Sequence, residues 1–508
     1  MSHIAQFEQR LWILDQQINA RGFRIDTVLA KKAAIACQEE KIDLDATVDR
    51  LTSGAVTSAT QHAKLRAYLE SIDVSLPDMQ AKTLEKFLDS GELNAEAKQL
   101  VEARQRVSKS STAKFLRVLK SIGPDKRMRG ALQFCGAART GRWAGRLLQP
   151  HNLPRPSRTW AQVKQCISAL LQGCANMVTD NVHLLCSDIA RSTIVADKGM
   201  KLLVADYNAI EGRVLAWIAG ELEKLMAYRK GEDQYRRTYR KMFGMVDDAE
   251  ISSGERQKGK CFELSMGYEG GVGALQTSAK TYDVDLKELG EGAYGAAPTD
   301  VRRRAHGNFA FAVRRGDEST LIGKKLWVQL ECAKVMWRKT STKTVQLWRN
   351  LNNAAIAAIE NPGTKYRTAK CIFMMSNTSL AIRLPSGRCI LYANPRVTSE
   401  TDEETSRVRK SISYVGVYFT RESLYGGKLA ENIASGISRD ILANAMLNVD
   451  DFGFPIVLTV HDEIIAEVKR WGKLTLNMMI KLMLKKPAWA SDLPLHIEGY
   501  QAIRYRKS

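Results

Sequence analysis

Three carboxylates stand in this sequence where carboxylates cost most. Pro455 to Val468 reads Pro-Ile-Val-Leu-Thr-Val-His-Asp-Glu-Ile-Ile-Ala-Glu-Val, with apolar, β-branched runs on both sides of His461, Asp462 and Glu463. That pattern predicts a hairpin with its acids at the tight turn. Asp206 ends a second apolar run, Lys-Leu-Leu-Val-Ala-Asp, and a stretch with helical spacing follows it. Ionised carboxylates beside buried strands must be paired or must hold a metal. If the two strands lie side by side, Asp206 and Asp462 can share divalent cations. Hard oxygen ligands suit Mg²⁺, which keeps waters and substrate phosphates in the rest of its shell. Two such ions about 3.5–4 Å apart would stabilise both the attacking and the leaving oxygen of an in-line phosphoryl displacement. An ordinary polar hairpin turn has the same local pattern, and the second acid on another apolar strand weighs against it.

A second constellation lies further on, where Arg256, Lys260, Leu264 and Tyr268 recur at every fourth residue. Each step of four drifts only about 40° around a helix, so the four are expected on one face. Two cations at one end can hold a triphosphate while the ring at the other stacks on a base or sugar. A basic amphipathic helix packed by its Leu and Tyr is the alternative. Between Arg104 and Lys120, basic residues including Lys109 and Lys114 alternate with Ser108, Ser110, Ser111 and Thr112. Cations with hydroxyls suit a phosphate backbone; a solvated helix face fits equally well.

The chain around these residues has 508 residues, too many for one compact core, and suits two to four subdomains. Its 76 basic and 55 acidic residues give a net charge of +21, which favours a polyanionic partner. Nine cysteines without a CxxC pair indicate reduced thiols rather than a zinc site or a disulfide framework. No apolar run is long enough to span a bilayer, so no membrane role and a cytoplasmic location are expected.

Along the chain, residues 1 to about 130 read as mainly helical, with a break at Arg21-Gly22-Phe23. Thr140-Gly141-Arg142-Trp143 and Gln149 to Arg155 form a Gly/Pro-punctuated loop with polar and basic side chains. Asp300 to Arg315, rich in arginine, reads as a solvated surface loop or an insertion that meets single-stranded template, with the loop favoured. Trp327, Trp337 and Trp348 read as core. Leu493 to Tyr505 reads as a strand returning to the main sheet.

Asp206-Tyr-Asn-Ala-Ile-Glu211-Gly-Arg213, Arg256-x3-Lys260-x7-Tyr268-x-Gly270 and Val460-His461-Asp462-Glu463 resemble, in order and spacing, motifs A, B and C of the family A DNA polymerases. Thr140-Gly141-Arg142 with Asn152-Leu-Pro-Arg, the run from Tyr425 to Asp440 and the opening Asp15 to Asp26 extend the likeness over nearly the whole chain, nearest in character to bacteriophage members. The resemblance implies an α+β right-hand fold: a helical thumb (1–130), a palm in two parts (131–225 and 366–508) with an antiparallel sheet carrying both acid strands, and helical fingers (226–365). It implies a DNA-directed DNA polymerase that adds dNTPs to a primer 3′-hydroxyl and releases pyrophosphate. Asp206, Asp462 and the backbone carbonyl of Tyr207 would hold two Mg²⁺ ions, with Mn²⁺ as a substitute and Glu463 in support. Arg256, Lys260, Leu264 and Tyr235 would take the incoming nucleotide, Lys260 protonating the departing pyrophosphate, and Glu211 with Tyr268 would exclude a 2′-hydroxyl. Arg142, Asn152, His461, Asn432, Ser435, Lys109 and Lys114 would contact primer-template DNA.

Departures from the family pattern are part of the expectation. Leu264 stands where many members carry an aromatic residue, and Ser435 where the family usually has Gln. Gly212 inside a helix costs about 1 kcal/mol relative to Ala and is expected to loosen the sugar gate. No Asp-x-Glu strand motif precedes Asp206, so no intrinsic 3′–5′ exonuclease is expected. A separate exonuclease or processivity subunit stays open as a partner. A single-subunit RNA polymerase and a catalytically silent primer-template scaffold remain as alternatives.

Overall fold

The computed structural model describes residues 3–108, 111–246, 249–401 and 408–507, so Lys109 lies outside the described residues. The first helix, α1 (His3–Arg21), buries Leu11, Leu14 and Ile18 and ends at Gly22. Gly22 has φ +59°, and a Cβ there would lie 2.2 Å from the Met128 carbonyl oxygen, so only glycine allows the chain to turn here. Helix α2 (Thr27–Leu51) is capped by the Asp26 side chain, which accepts from the Leu29 N–H. At 1.5 Å per residue its 25 residues run about 37 Å. Its first half packs in the main core through Leu29, Ala30, Ala33 and Cys37. Its far end, at Val48, joins a separate small core with Leu65, Leu69, Leu84, Leu100 and Val101. Only the outer part of 1–130 therefore builds a core of its own. In contrast, α1 packs on the central sheet, and Phe23–Ile25 pairs with Arg127–Met128 and Ile194–Val195.

The central sheet begins with β1 (Met200–Tyr207), whose Leu202, Leu203, Val204 and Ala205 are buried. The next helix, α3 (Ile210–Ala219), follows it directly. The segment 222–360 is helical, as expected for fingers. Within it, α4 (Ser253–Met266) starts at a capping box in which Ser252 and Glu255 satisfy each other's backbone N–H.

Asp300 to Arg315, for which the sequence favours a loop, is instead almost entirely the helix α5 (Thr299–Arg314). Its Val301, Ala305 and Ala312 are buried, spaced four and seven apart, and pack on the helix Lys324–Thr340. Three short or β-branched inward residues were enough to define a helix whose arginines and Gly307 dominate the sequence. Trp327, Trp337 and Trp348 are core, as expected.

The segment 366–508 contributes strands to two sheets. Six antiparallel strands from Tyr366–Thr368 to Arg421–Leu424 form a meander in chain order, separate from the central sheet. Helix α6 (Gly426–Asp451), buried along most of its length, leads back. Then come β2 (Ile456–Val460), β3 (Glu463–Lys469) and β4 (Ile497–Ala502). The four strands lie in the order β2-β3-β1-β4, all neighbours antiparallel. Their continuous apolar runs imply cover on both faces, and α1, α6 and the helix Leu476–Met483 supply it. No helix among the described residues is long and apolar enough to cross a membrane.

Candidate active site

The two acid strands are side by side. Val460 pairs with Glu463 across β2 and β3, which leaves His461 and Asp462 as the two turn residues, His461 at φ 55°. Asp206 pairs with Glu463 in the β3–β1 register, and the Tyr207 N–H donates to the Asp462 carbonyl oxygen at 3.2 Å. Each carboxylate has an internal cation. Arg142 bridges Asp462 (2.7 Å) and Glu211 (2.8 Å), while Lys507 lies 2.9 Å from Asp206 and 3.7 Å from Glu463. Burial pushes the Asp462 carboxyl up to about 6; Arg142 opposes the rise and the charges of Glu211 and Asp206 add to it. Burial likewise pushes Glu463 up to about 7, against the pull of Lys507.

Among the described residues no three His, Cys, Asp or Glu side chains converge as a ready-made metal cage. The donor set is an open one of two aspartates, and the buried Glu463 Oε1 has no hydrogen-bond partner. Excess negative charge with an orphaned carboxylate oxygen fits a hard divalent cation that completes its shell with water and phosphate.

These acids open on a cleft of about 720 Å³. It brings together nine expected site residues: Arg142, Asp206, Tyr207, Glu211, Tyr235, Arg256, Leu264, His461 and Asp462. Arg256 is held by Asp233, Nε to Oδ2 at 2.6 Å, and its guanidinium lies 5.2 Å from the centre of the Tyr235 ring. Asp233 is fixed in turn as the cap of the helix Gln234–Phe243, accepting from the Tyr235 and Arg236 N–H groups. Lys260 does not line the cleft: its ammonium lies 4.0 Å over the Tyr282 ring. Burial lowers its pKa, and Arg155 and Arg256 lower it further.

Tyr268 lies just past the end of α4 rather than within it, where the spacing predicts it. The helix ends at Met266, Gly267 keeps helical angles, and Tyr268 sits in the following turn. A Cβ at Gly270 would fall 1.9 Å from the Ser265 carbonyl oxygen, so the chain must leave the helix there. Burial pushes the Tyr268 phenol well up, and the charge of Glu211 adds to the rise.

Gly212 has a different reason from a loosened gate. A Cβ there would lie 2.7 Å from the hydroxyl of the buried Tyr228, whose ring carries the Arg213 guanidinium at 4.4 Å. The helix gives up propensity so that Tyr228 can lock Arg213 under the start of α3. Gly212→Ala is expected to lower stability by about 1–3 kcal/mol despite alanine's better helix propensity. Adding Tyr228→Phe should recover part of the loss in chemical denaturation; equal losses in the single and double variants would refute the contact.

On the other side of the turn, the His461 ring meets the His151 ring edge-on at 5.3 Å, and its Nε2–H donates to the His151 carbonyl oxygen at 3.0 Å. Sequence reasoning missed His151: only its neighbour Asn152 carried the resemblance. Asn152 is exposed in a short 3₁₀ turn and donates to the Gln149 side chain. Burial, then the charges of His461, Arg142 and Arg191, hold the His151 imidazole down to about 4. The unfolded imidazole protonates near 6.5, so this group's contribution to stability is full above pH 6.5 and is lost as pH falls towards 4. The loss should reach on the order of 2–3 kcal/mol. His151→Gln should flatten the acid limb of the stability profile, and an unchanged limb would refute the assignment.

Three further expected DNA contacts have partly or fully enclosed surroundings. Asn432 donates to the Tyr392 hydroxyl at 2.8 Å. Ser435 is only 8% exposed within α6, so it has no open face for a duplex. Lys114 is half-buried near Arg191, and burial lowers its pKa. Lys507, Arg155 and Arg191, all lining the cleft, carried no sequence signal because they come from a loop, a short 3₁₀ helix and the stretch after the last strand.

Comparison with known proteins agrees with this geometry. The family model for DNA polymerase family A matches residues 77–356. The chain is 32% identical to the DNA polymerase of Bacillus phage SP02, over 98% of this chain and 71% of that one. Shorter matches reach DNA polymerase I of Pseudomonas aeruginosa, 31% identical over 30% of this chain and 17% of that protein. The thermostable DNA polymerase I of Thermus filiformis is 31% identical over 27% and 16%. Among solved structures, the POL domain of Pol1 from M. smegmatis, in complex with DNA primer-template and dNTP, superposes with a TM-score of 0.57 at 16% identity, covering 97% of this chain and 68% of that one. That likeness gives the α+β polymerase fold, and with the family model and the phage relative it leads to one conclusion: the chain belongs to DNA polymerase family A.

Proposed function

We propose that this polymerase extends a primer 3′-hydroxyl on a DNA template with dNTPs, using Asp206, Asp462 and the Tyr207 carbonyl to hold two divalent cations, Mg²⁺ or Mn²⁺. The observation that carries the reading is the register that sets Asp206 beside the His461–Asp462 turn at the mouth of a cleft lined with arginines. When bound, the cations would activate the primer hydroxyl and neutralise charge on the departing pyrophosphate. The chain's own side chains do the rest. Arg256, poised on Tyr235, would exchange Asp233 for the triphosphate, a charge-assisted contact for a charge-assisted contact. Lys260, its pKa lowered by burial, gives up a proton more readily than an exposed lysine and would supply it to the leaving group. Glu211 and Tyr268 would close the space beside C2′ of the sugar. Arg142 and His461 would meet the primer end, with 1–130 as thumb and 226–365 as fingers.

The reading includes no proofreading, because no Asp-x-Glu motif precedes Asp206. Extension of a labelled primer-template in Mg²⁺ tests it. Wild type should extend with dNTPs, discriminate against rNTPs, and leave the primer intact when nucleotides are omitted. Glu211→Ala should raise rNTP use relative to dNTP use by about a hundredfold. Binding without extension would replace this reading with a scaffold, preferential rNTP use with an RNA polymerase, and primer shortening would overturn the absence of proofreading.

A further inference from the structure

The chain's final described residue reaches the acids, and nothing in the site's assigned chemistry requires it there. Lys507 comes to Asp206 and Glu463 from a tail that is fixed almost residue by residue. Arg504 pairs with Asp26 at 2.6 Å and donates to the Ser192 carbonyl at 3.0 Å. The Tyr505 N–H donates to the Ile194 carbonyl at 2.9 Å, and its ring is fully buried. The Arg506 guanidinium lies over the rings of Trp160 (5.1 Å) and Tyr500 (4.8 Å). The Lys507 ammonium is thus delivered to the acids by anchored backbone.

We propose that Lys507 is the resident counter-ion of the free enzyme: its ammonium neutralises Asp206 and Glu463 and must withdraw before a divalent cation can load, so it sets the cation concentration at which the site fills. The inference rests on the reading of Asp206 as a cation ligand. A surface pair would be worth little, but Glu463 is 2% exposed with one oxygen unpartnered, and an unneutralised buried carboxylate is expensive. A lysine suits the task better than an arginine. It is a compact point charge on a flexible four-carbon stem, and it releases a carboxylate without breaking a bidentate fork. A divalent cation then competes with twice the charge at shorter range.

Mn²⁺ binding to the enzyme, free of DNA and nucleotide, is followed by electron paramagnetic resonance for wild type, Lys507→Ala, Lys507→Gln and Asp206→Asn. Both Lys507 variants should bind Mn²⁺ about tenfold more tightly than wild type. In chelator they should melt at lower temperature, and gain more from added Mn²⁺. Two neutral variants of different size guard against a local packing fault in either. Unchanged or weaker Mn²⁺ binding in both, with Asp206→Asn binding poorly, overturns the role of Lys507 while leaving the ligand assignment intact. If Asp206→Asn binds Mn²⁺ as well as wild type, the ligand assignment fails and this inference falls with it.

Discussion

Asp462→Asn should slow primer extension by at least about a thousandfold, equivalent to some 4 kcal/mol of transition-state stabilisation, while leaving the fold intact. The asparagine oxygen can still accept from Arg142, so the turn and the Arg142 bridge to Glu211 keep a partner. What is lost is charge on the one acid that the hairpin pushes into the cleft. Stability should not fall with activity. Burial raises the Asp462 pKa to about 6, so between the unfolded value near 3.8 and pH 6 the folded state loses stability as pH rises and the carboxyl ionises. At pH 7 the neutral amide escapes that cost, and the variant should melt at or above the wild-type temperature. Single-turnover extension and a thermal melt on the same preparation check both halves. Extension within tenfold of wild type would remove Asp462 from the chemistry; a large drop in melting temperature would show that the carboxylate's role is structural.

The site's electrostatics explain how a chain of net charge +21 keeps an acidic centre. The acids near the reaction share a few internal cations: Arg142 serves Asp462 and Glu211, Lys507 serves Asp206 and Glu463, and Arg256 serves Asp233. Substrate binding is therefore an exchange of partners rather than a filling of empty charge. Exchange costs little when each arginine trades one carboxylate for one phosphate, and it orders the cleft before the substrate arrives.

How much of this was legible in the sequence follows from the range of the forces involved. The acid strands were, because an acid inside a continuous apolar run is a local conflict that only a site resolves. Most of the α4 face was, because four-residue spacing is a local property, but Tyr268 lies beyond the helix because the close approach of Gly270 to the Ser265 carbonyl is invisible in a periodicity. Gly212 looked like a cost until Tyr228, sixteen residues on, supplied the atom that needs the space. The meander 366–424 left little trace in the sequence, because its strands, polar and exposed along much of Val408–Val415, lack the apolar runs that mark β1 to β3. Lys507 and His151 had no signal: one is placed by tail anchors on three distant segments, the other by a ring contact across 310 residues.

Arg439 is the position whose loss should cost the fold most. It is fully buried in α6, and its guanidinium makes a two-pronged pair with Glu8 of α1 at 2.6 and 2.7 Å. It also contacts Asp440 at 3.2 Å, donates to the Gly141 carbonyl at 3.1 Å, and lies over the rings of Trp143 and Phe134 at 5.3 and 5.6 Å. Burial opposes its charge, and Glu8 and Asp440 more than restore it, so its pKa is raised. One side chain thus ties the first helix and the central helix to the turn that carries Arg142. Arg439→Met keeps the length and removes every polar partner. It should lower stability by about 3–5 kcal/mol, the cost of breaking a buried pair. Glu8 is a quarter exposed and Asp440 keeps Arg388 at 2.7 Å, which favours the lower end. Adding Glu8→Gln should return a measurable part, because the orphaned charge is gone. Extension should fall as well, with nucleotide affinity less affected, since the freed Thr140–Arg142 turn no longer aims Arg142 at Asp462. A loss below about 1 kcal/mol in denaturant unfolding, typical of an exposed pair, would mean that the three elements are held by their apolar contacts alone.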